Sequence, residues 1–456
     1  LERSIRKVFV ANRGEIAVRV IRAARELGME TVLGCSEADR DSLAARMASA
    51  VEVLGPAPAA KSYLDVRAVV DAARRSGADA VHPGYGFLSE NSAFAQAVQD
   101  AGLIFVGPSP RAISLMGDKA AARACAKKAG VPTVPGSDGV IEGVELALQE
   151  AQRVGYPIML KAAAGGGGRG IRVAADAQEL AAQFVVATRE AESAFGYGGL
   201  YLERFVGRAR HVEVQIIGDG RQAIHLYERE CSLQRRRQKL VEEAPSPSLD
   251  EAVRERMCAS AVALAESVNY AGVGTVEYLY DPATAEFFFI EMNTRVQVEH
   301  PVTEMVTGVD IVRESLRLAC GGSLGYRQAD IVLRGASIEC RINAEDPARN
   351  FMPAPGVVTD LTLPAGPGVR VDTHLYEGYR VPPFYDSLLA KVIVWDASRI
   401  EAIARMKRAL GELSFEGVKS TKALHLALLD DPGVVAGAYD TGYLEANLSQ
   451  LVATMP

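Results

Sequence analysis

Glu291, Asn293, Arg295, Gln297 and Glu299 occupy alternate positions in the stretch FFFIEMNTRVQVEHPVTE, with Met292, Thr294, Val296 and Val298 between them. A period of two sends one set of side chains to one side of an extended chain. Five polar groups following Phe287, Phe288, Phe289 and Ile290 are costly to bury without a purpose. Fully extended, residues 291–299 would span roughly 26 Å, which is long for one small-molecule site. A bend after Asn293 is therefore expected, turning the later groups round a substrate.

A second carboxylate belongs with these. GTVEYLYDPATAEFFFIEMN predicts a hairpin, with strands over 275–280 and 286–292 and a turn around Asp281, Pro282, Ala283 and Thr284. Folding it about Thr284 sets Glu277 opposite Glu291 on one face. Like charges directly across a strand pair repel, and a hard divalent cation removes the repulsion. Two carboxylates and the amide oxygen of Asn293 suit Mg²⁺ or Mn²⁺ sharing its shell with phosphates. The alternative is two glutamates facing solvent from an exposed sheet.

In PIMLKAAAGGGGRGIRV, Lys161 ends an apolar strand, and Gly165, Gly166, Gly167 and Gly168 follow. Glycines let backbone N–H groups close round phosphate oxygens without Cβ obstruction. The GK[ST] of a Walker A loop is absent. A flexible linker is the competing reading. RECSLQRRRQKLVEEAP gathers Arg235, Arg236, Arg237 and Lys239 within five residues, either a solvated loop or an anion site fed by Lys239. Arg341 lies between Cys340 and Ile342. Two readings stay open for it, a core ion pair with Glu339 or a more distant acid, and an anion ligand. His211 by its spacing is structural. No GxSxG motif and no Ser/His/Asp set stands out.

Positioning these groups requires an ordered scaffold. KVFVANRGEIAVRVIRAARELGMETVLGCSE reads as strand, glycine turn, amphipathic helix, strand, the start of a parallel α/β unit over residues 1–117. Its turn, Asn12-Arg13-Gly14-Glu15, lacks the GxGxxG fingerprint, which disfavours a hydride-transfer cofactor. Residues 118–133 read as a connector, helical around 118–129. Residues 134–206 hold a helix over 143–154, a strand over 156–162, the glycine run, a helix over 177–191 and a strand over 200–205. So small a unit suits a hinged lid. From 207 to 456 the pattern is strand-rich, with helices over 249–268 and 400–413.

The 456 residues leave ample core for several lobes. Apolar residues make up 48% and charged residues 23%, within the range of globular proteins. A net charge of −7 argues against nucleic acid as the partner. No apolar run has the length of a membrane span, and no signal peptide is visible. Six cysteines without CxxC or Cys/His spacing fit unpaired thiols in a reducing cytoplasm rather than a zinc or disulfide framework. The first residue is Leu, so the numbering is expected to begin inside a longer chain.

KVFVANRGEIAVRVIRAARELG, HPGYGFLSEN, KAAAGGGGRG, RHVEVQI, ECSLQRRRQK, EMNTRVQVEHPVTE and ECRINAEDP occur in that order. Together they closely resemble biotin carboxylase, the ATP-grasp component of biotin-dependent carboxylases such as acetyl-CoA carboxylase. The resemblance covers nearly the whole chain. It implies an α/β and α+β architecture: a parallel N-terminal α/β domain, a mobile ATP-grasp lid and a larger strand-rich C-terminal domain. It assigns Lys119, Lys161 and the four lid glycines to ATP phosphates. Glu203, Arg204 and Val206 fall in the adenine segment, acting largely through backbone groups. His211, Gln234 and Arg237 would line the rest of the nucleotide site, with Glu277, Glu291 and Asn293 as metal ligands for two ions. Lys239, Arg295, Gln297 and Val298 match the bicarbonate site, Glu299 the general base, and Arg341 the residue touching both bicarbonate and biotin.

Two positions depart from the family pattern, Arg237 and Ser337, where members usually carry His. Arginine also donates to hydroxyls, so a ribose contact is expected to survive at Arg237. Met406-Lys407 lies in a helical ARMKRAL and is no biotin attachment motif. Biotin is thus expected on a separate carrier protein or domain, with a carboxyltransferase elsewhere. The chain would be a free subunit or a fragment of a longer carboxylase. A homodimer contact is implied near residues 376–386. Competing readings are another ATP-grasp ligase, joining an acyl phosphate to an amine, and a nucleotide-binding scaffold without turnover.

Overall fold

Val8, Phe9 and Val10 form the centre of a parallel sheet and are fully buried. Such continuous apolar strands are expected where helices cover both sheet faces. The computed structural model describes residues 5–137, 139–163, 171–195 and 197–456. The Lys7–Val10 strand pairs in parallel with Glu30–Ser36 on one side and Ala80–His82 on the other. Ala50–Gly55 and Ile104–Phe105 form the two edges. The chain winds one way from the central strand and then the other. Open α/β sheets place a crevice at such a reversal, beyond the carboxyl ends of the strands. Asn12 and Tyr85 follow those two strands there. Asn12 Nδ2 donates to the carbonyls of Pro83 and Tyr85, at 2.6 and 2.7 Å. Gly84 makes this approach possible, since it has φ +62° and a Cβ would sit 2.8 Å from Asn12 Nδ2.

The helix Gly14–Glu26 is buried nearly all round, through Ile16, Val18, Val20, Ile21 and Ala24. It is flanked by its own sheet and by the Ile311–Ala319 helix and Val369–Thr373 strand of the C-terminal unit. Asp118 caps the helix Lys119–Lys128, accepting from Ala121 N at 2.9 Å. The predicted connector is therefore largely helical.

In the next unit the strand Ile158–Ala162 lies between Ile171–Ala174 and Leu200–Arg204, all antiparallel. The helices Val144–Val154 and Ala177–Phe195 pack on this sheet around Ile158, Leu160, Leu180 and Leu202. The strand predicted from 156 begins at 158, because Pro157 has no N–H to give the ladder. Gly165 to Gly168 lie outside the described residues.

The C-terminal unit is built on eight antiparallel strands. Their order is Glu286–Asn293, Ala271–Asp281, Arg210–Asp219, Ala223–Arg235, Gln238–Ala244, Ala336–Asn343, Leu388–Asp396 and Val369–Thr373. Strand periodicity separates its two faces. Val212, Val214, Val276 and Tyr278 join one apolar cluster under the helix Glu251–Ser267. Ile338, Cys340, Val392 and Val394 join another with the helix Arg399–Glu412. The intervening positions, among them Glu213, Gln215, Thr275, Glu277, Glu339, Arg341 and Lys391, face the other way. Segment 376–386 packs within the chain: Tyr376 Oη donates to Asp41 O at 2.8 Å, and Tyr385 Oη to Ala57 O at 2.5 Å. Among the described residues no helix is long and apolar enough to cross a membrane.

Candidate active site

The polar face of the large sheet, the reversal point of the small one and the inner edge of the lid sheet enclose a cleft of about 1110 Å³. The sequence segment with alternating polar residues forms its floor. Its strand ends at Asn293, and the chain turns through residues 294–299 into the helix His300–Thr307. The expected bend is present, and it brings Arg295, Gln297 and Glu299 beside groups from five other strands.

Glu299 is 2% exposed and lies between two cations. One oxygen accepts from Lys239 Nζ at 2.6 Å and the other from an Arg341 terminal nitrogen at 2.9 Å. Burial opposes its ionisation, but Lys239, Arg341 and Arg229 outweigh burial and hold its carboxyl below the usual range. Lys239 also contacts Glu213 at 2.6 Å and Glu277 at 3.0 Å, and these acids keep its buried ammonium charged. Arg341 Nε donates to Glu242 at 2.6 Å. Of the two readings left open for Arg341, the ion pair is thus present, with Glu242 and Glu299 rather than Glu339. The guanidinium still lines the cleft. Burial, only partly offset by Arg341, lifts Glu242 to about 7.

Arg229 lies beneath this layer, fully buried. It donates to Glu213, Gln215, Thr275, Gln297 and Thr303 at 2.5–3.1 Å. Gln297, oriented by it, donates to Glu277 at 2.9 Å. Arg295 is steered from the N-terminal unit: Nε meets Glu90 at 2.8 Å, and another nitrogen donates to Asn293 Oδ1 at 2.9 Å.

Glu277 and Glu291 are direct cross-strand partners, as the hairpin folding predicts. The strands are longer than expected, Ala271–Asp281 and Glu286–Asn293, with a bulge beyond Glu277. Burial and the charge of Glu277 push the Glu291 carboxyl above its usual range. A site that disfavours a second negative charge, built from carboxylate and amide oxygens, fits a hard divalent cation. Lys239 and His211 outweigh burial at Glu277 and hold it well below that range. His211 Nε2 lies 3.0 Å from Glu277 Oε2, without hydrogen-bond geometry. The contact is electrostatic, and it raises the His211 pKa against the effect of burial.

Lys119, Lys161, Gln234 and Arg237 line the cleft with Ile290 and Leu279. Lys161 pairs with Glu203, which also accepts from Arg123 at 2.7 Å. Glu203, Arg204 and Val206 do not line the main cleft. The Arg204 side chain meets Glu286 at 2.7 Å and the Phe288 ring at 4.8 Å, and its backbone N–H donates to Pro135 O at 2.8 Å. Sequence reasoning missed Glu213, Arg229, Glu242 and Glu90. The alternation Val212-Glu213-Val214-Gln215-Ile216 carried a signal for the first of them.

Three family models match the chain in succession. They are the biotin carboxylase N-terminal domain over residues 4–113, the carbamoyl-phosphate synthase L chain ATP-binding domain over 118–327, and the biotin carboxylase C-terminal domain over 339–446. The chain is 53% identical to the biotin carboxylase of Pseudomonas aeruginosa over 97% of its own length and 99% of the relative's. It is 52% identical to biotin carboxylase 1 of Bacillus subtilis over 97% and 98%. The chain belongs to the biotin carboxylase family. The biotin carboxylase domain of the Hydrogenobacter thermophilus 2-oxoglutarate carboxylase, a dimer in complex with MgADP, ADP and bicarbonate, superposes with a TM-score of 0.87. That domain is 46% identical, covering 98% of each chain.

Membership in the biotin carboxylase family makes the chain an ATP-grasp ligase and gives its two departures a setting. Arg236 and Arg237 form the two-residue turn between paired Arg235 and Gln238, with φ +47° and +68°. Arg237 thus projects into the cleft from a left-handed turn. Ser337 is buried in its strand and donates to Val394 O at 2.7 Å, away from the cleft.

Proposed function

We propose that this chain carboxylates biotin with bicarbonate and ATP, giving carboxybiotin, ADP and phosphate. The observation that carries this reading is Glu299, a carboxylate shared by Lys239 and Arg341 on the cleft floor. Bicarbonate arriving at Lys239, Arg295 and Arg341 competes with Glu299 for those cations. Losing them raises its proton affinity, so the anion that binds also readies the base that takes its proton. The oxygen so exposed attacks the γ-phosphorus of ATP in line, and ADP leaves. Mg²⁺ or Mn²⁺ at Glu277, Glu291 and Asn293 would supply neutralising charge on the phosphate oxygens. Lys119 from the connector helix and Lys161 from the lid add charge.

The product, carboxyphosphate, is short-lived in water, which gives a closing lid its purpose. Its breakdown yields CO₂ and phosphate, and the phosphate accepts the N1′ proton of biotin. Arg341 then stabilises the biotin enolate by charge and hydrogen bonding. Arg295 is held by Glu90, and Arg341 by Glu242 and Glu299, so both guanidinium groups are positioned before substrate arrives.

We place biotin on a carrier protein or domain and the acyl acceptor on a carboxyltransferase. We also place the chain in a reducing cytoplasm, which fits its six unpaired cysteines, and as a homodimer like the dimeric relative. The test is phosphate release from MgATP with free biotin. Turnover requiring both bicarbonate and biotin is expected. Release that needs an amine or acyl substrate instead would contradict the reading.

A further inference from the structure

Lys391 has no part in this chemistry, yet it is 0% exposed. A buried ammonium is retained only where partners compensate its lost water. Its Nζ donates to the Val298 carbonyl at 2.7 Å and lies 3.1 Å from Glu15 Oε1 and 3.9 Å from Asp372 Oδ2. Sheet register explains the placement. Arg341, Lys391 and Asp372 are direct neighbours across three strands, so all three leave on the face covered by the 294–299 turn. Arg341 reaches Glu299, and Lys391 reaches the residue before it. Adjacent rungs of one ladder therefore hold adjacent residues of the turn.

We propose that Lys391 is a positioning residue for the bicarbonate site. By holding the Val298 carbonyl it fixes the Val298–Glu299 peptide plane, and with it the aim of the Glu299 carboxylate. It also ties that turn to the N-terminal unit, because Glu15 accepts from the hydroxyl of Tyr85, a cleft-lining residue. The proposal rests on the role given above to Glu299. A purely structural lysine would serve only to neutralise the buried acids Glu15, Glu339 and Asp372, and the two accounts diverge in turnover once the charges of Lys391 and its nearest acid, Glu15, are both removed.

The experiment compares wild type, Lys391→Met, Glu15→Gln and the double variant in the full chain. It records melting temperature, MgADP affinity, and kcat and KM in biotin-dependent phosphate release. Lys391→Met is expected to melt lower, since it strands a buried carboxylate. The double variant should recover part of the lost melting temperature, since Glu339 and Asp372 still face the site, but stay at least tenfold down in kcat/KM for bicarbonate, with KM for ATP and MgADP affinity within twofold. Recovery of turnover together with stability would overturn the proposal, as would an equal loss for ATP and bicarbonate. If Lys391→Met does not fold, the double variant decides alone against Glu15→Gln. A wild type without biotin-dependent turnover sinks the role of Glu299 and this proposal together. An active wild type with a fully rescued double variant sinks only the latter.

Discussion

At the scale of single residues, two cations of the cleft answer to more than one anion, and the proposed mechanism uses this. Lys239 meets three carboxylates and Arg341 two, so an arriving anion exchanges partners rather than entering unpaired charge. Arg295 differs: among the described residues its one carboxylate partner within ion-pair distance is Glu90, which comes from the other unit and also accepts from Thr294 N at 3.1 Å. Glu90→Gln should therefore loosen Arg295 and raise KM for bicarbonate several-fold while leaving KM for ATP unchanged. Steady-state kinetics would count against this assignment if the ATP constant moved instead. Alternation alone marked the 291–299 segment, because a period of two survives in the sequence whatever packs on it. Arg229 was illegible for the opposite reason. It sits between Glu228 and Glu230 as if on a charged surface, and its burial is created by partners such as Thr275 and Thr303, 46 and 74 residues away.

At the scale of elements, the hairpin register of Glu277 and Glu291 was readable because turn residues and flanking apolar runs leave few ways to fold it. The strand bounds were not, since the Ala271–Asp281 strand is extended by pairing with Arg210–Asp219, a contact made in three dimensions. A loop was among the readings of the arginine run, but its tight left-handed turn at Arg236 and Arg237 was not. Two-residue hairpins with positive φ at both positions favour Asn-Gly, and arginine there costs roughly 1–2 kcal/mol per residue. Strain of this kind is tolerated where function needs the side chain. Replacing Arg236→Asn and Arg237→Gly together should raise the melting temperature by a few degrees and increase KM for ATP. Calorimetry showing no gain in stability would mean the turn is not strained.

At the scale of the whole molecule, buried neutral histidines tie stability to pH, and His82 also joins two units, its Nε2 lying 3.2 Å from Ser315 Oγ of the C-terminal unit. His82 lies at the reversal point, its Nδ1 accepting from Gly84 N at 3.0 Å, and His425 meets the Arg341 carbonyl at 2.6 Å. Burial lowers His82 from 6.5 to about 3, His374 to about 3 and His425 to about 4. The unfolded chain binds these protons first, so their contribution to stability is lost as pH falls from 6.5 toward 3–4. Glu242, lifted to about 7, acts in the opposite direction. A substitution isolates one term: His82→Gln should reduce the stability difference between pH 7.5 and pH 5 by about 2 kcal/mol. Denaturant titrations at the two pH values would refute the assignment if both proteins lose stability equally. The succession of a parallel α/β unit, a small α/β unit and a strand-rich unit, whose large sheet is antiparallel, follows the element order read from the sequence. The assignment of charged residues to one face of that sheet needed the structure, because it depends on register across eight strands.

The central claim is that Glu299 takes the proton of bicarbonate. Its most direct test is Glu299→Gln, which keeps the size of the side chain and removes its basicity. MgATP affinity should match wild type while biotin-dependent phosphate release falls at least a hundredfold, in line with the loss of a general base. Wild-type turnover in that variant would contradict the account.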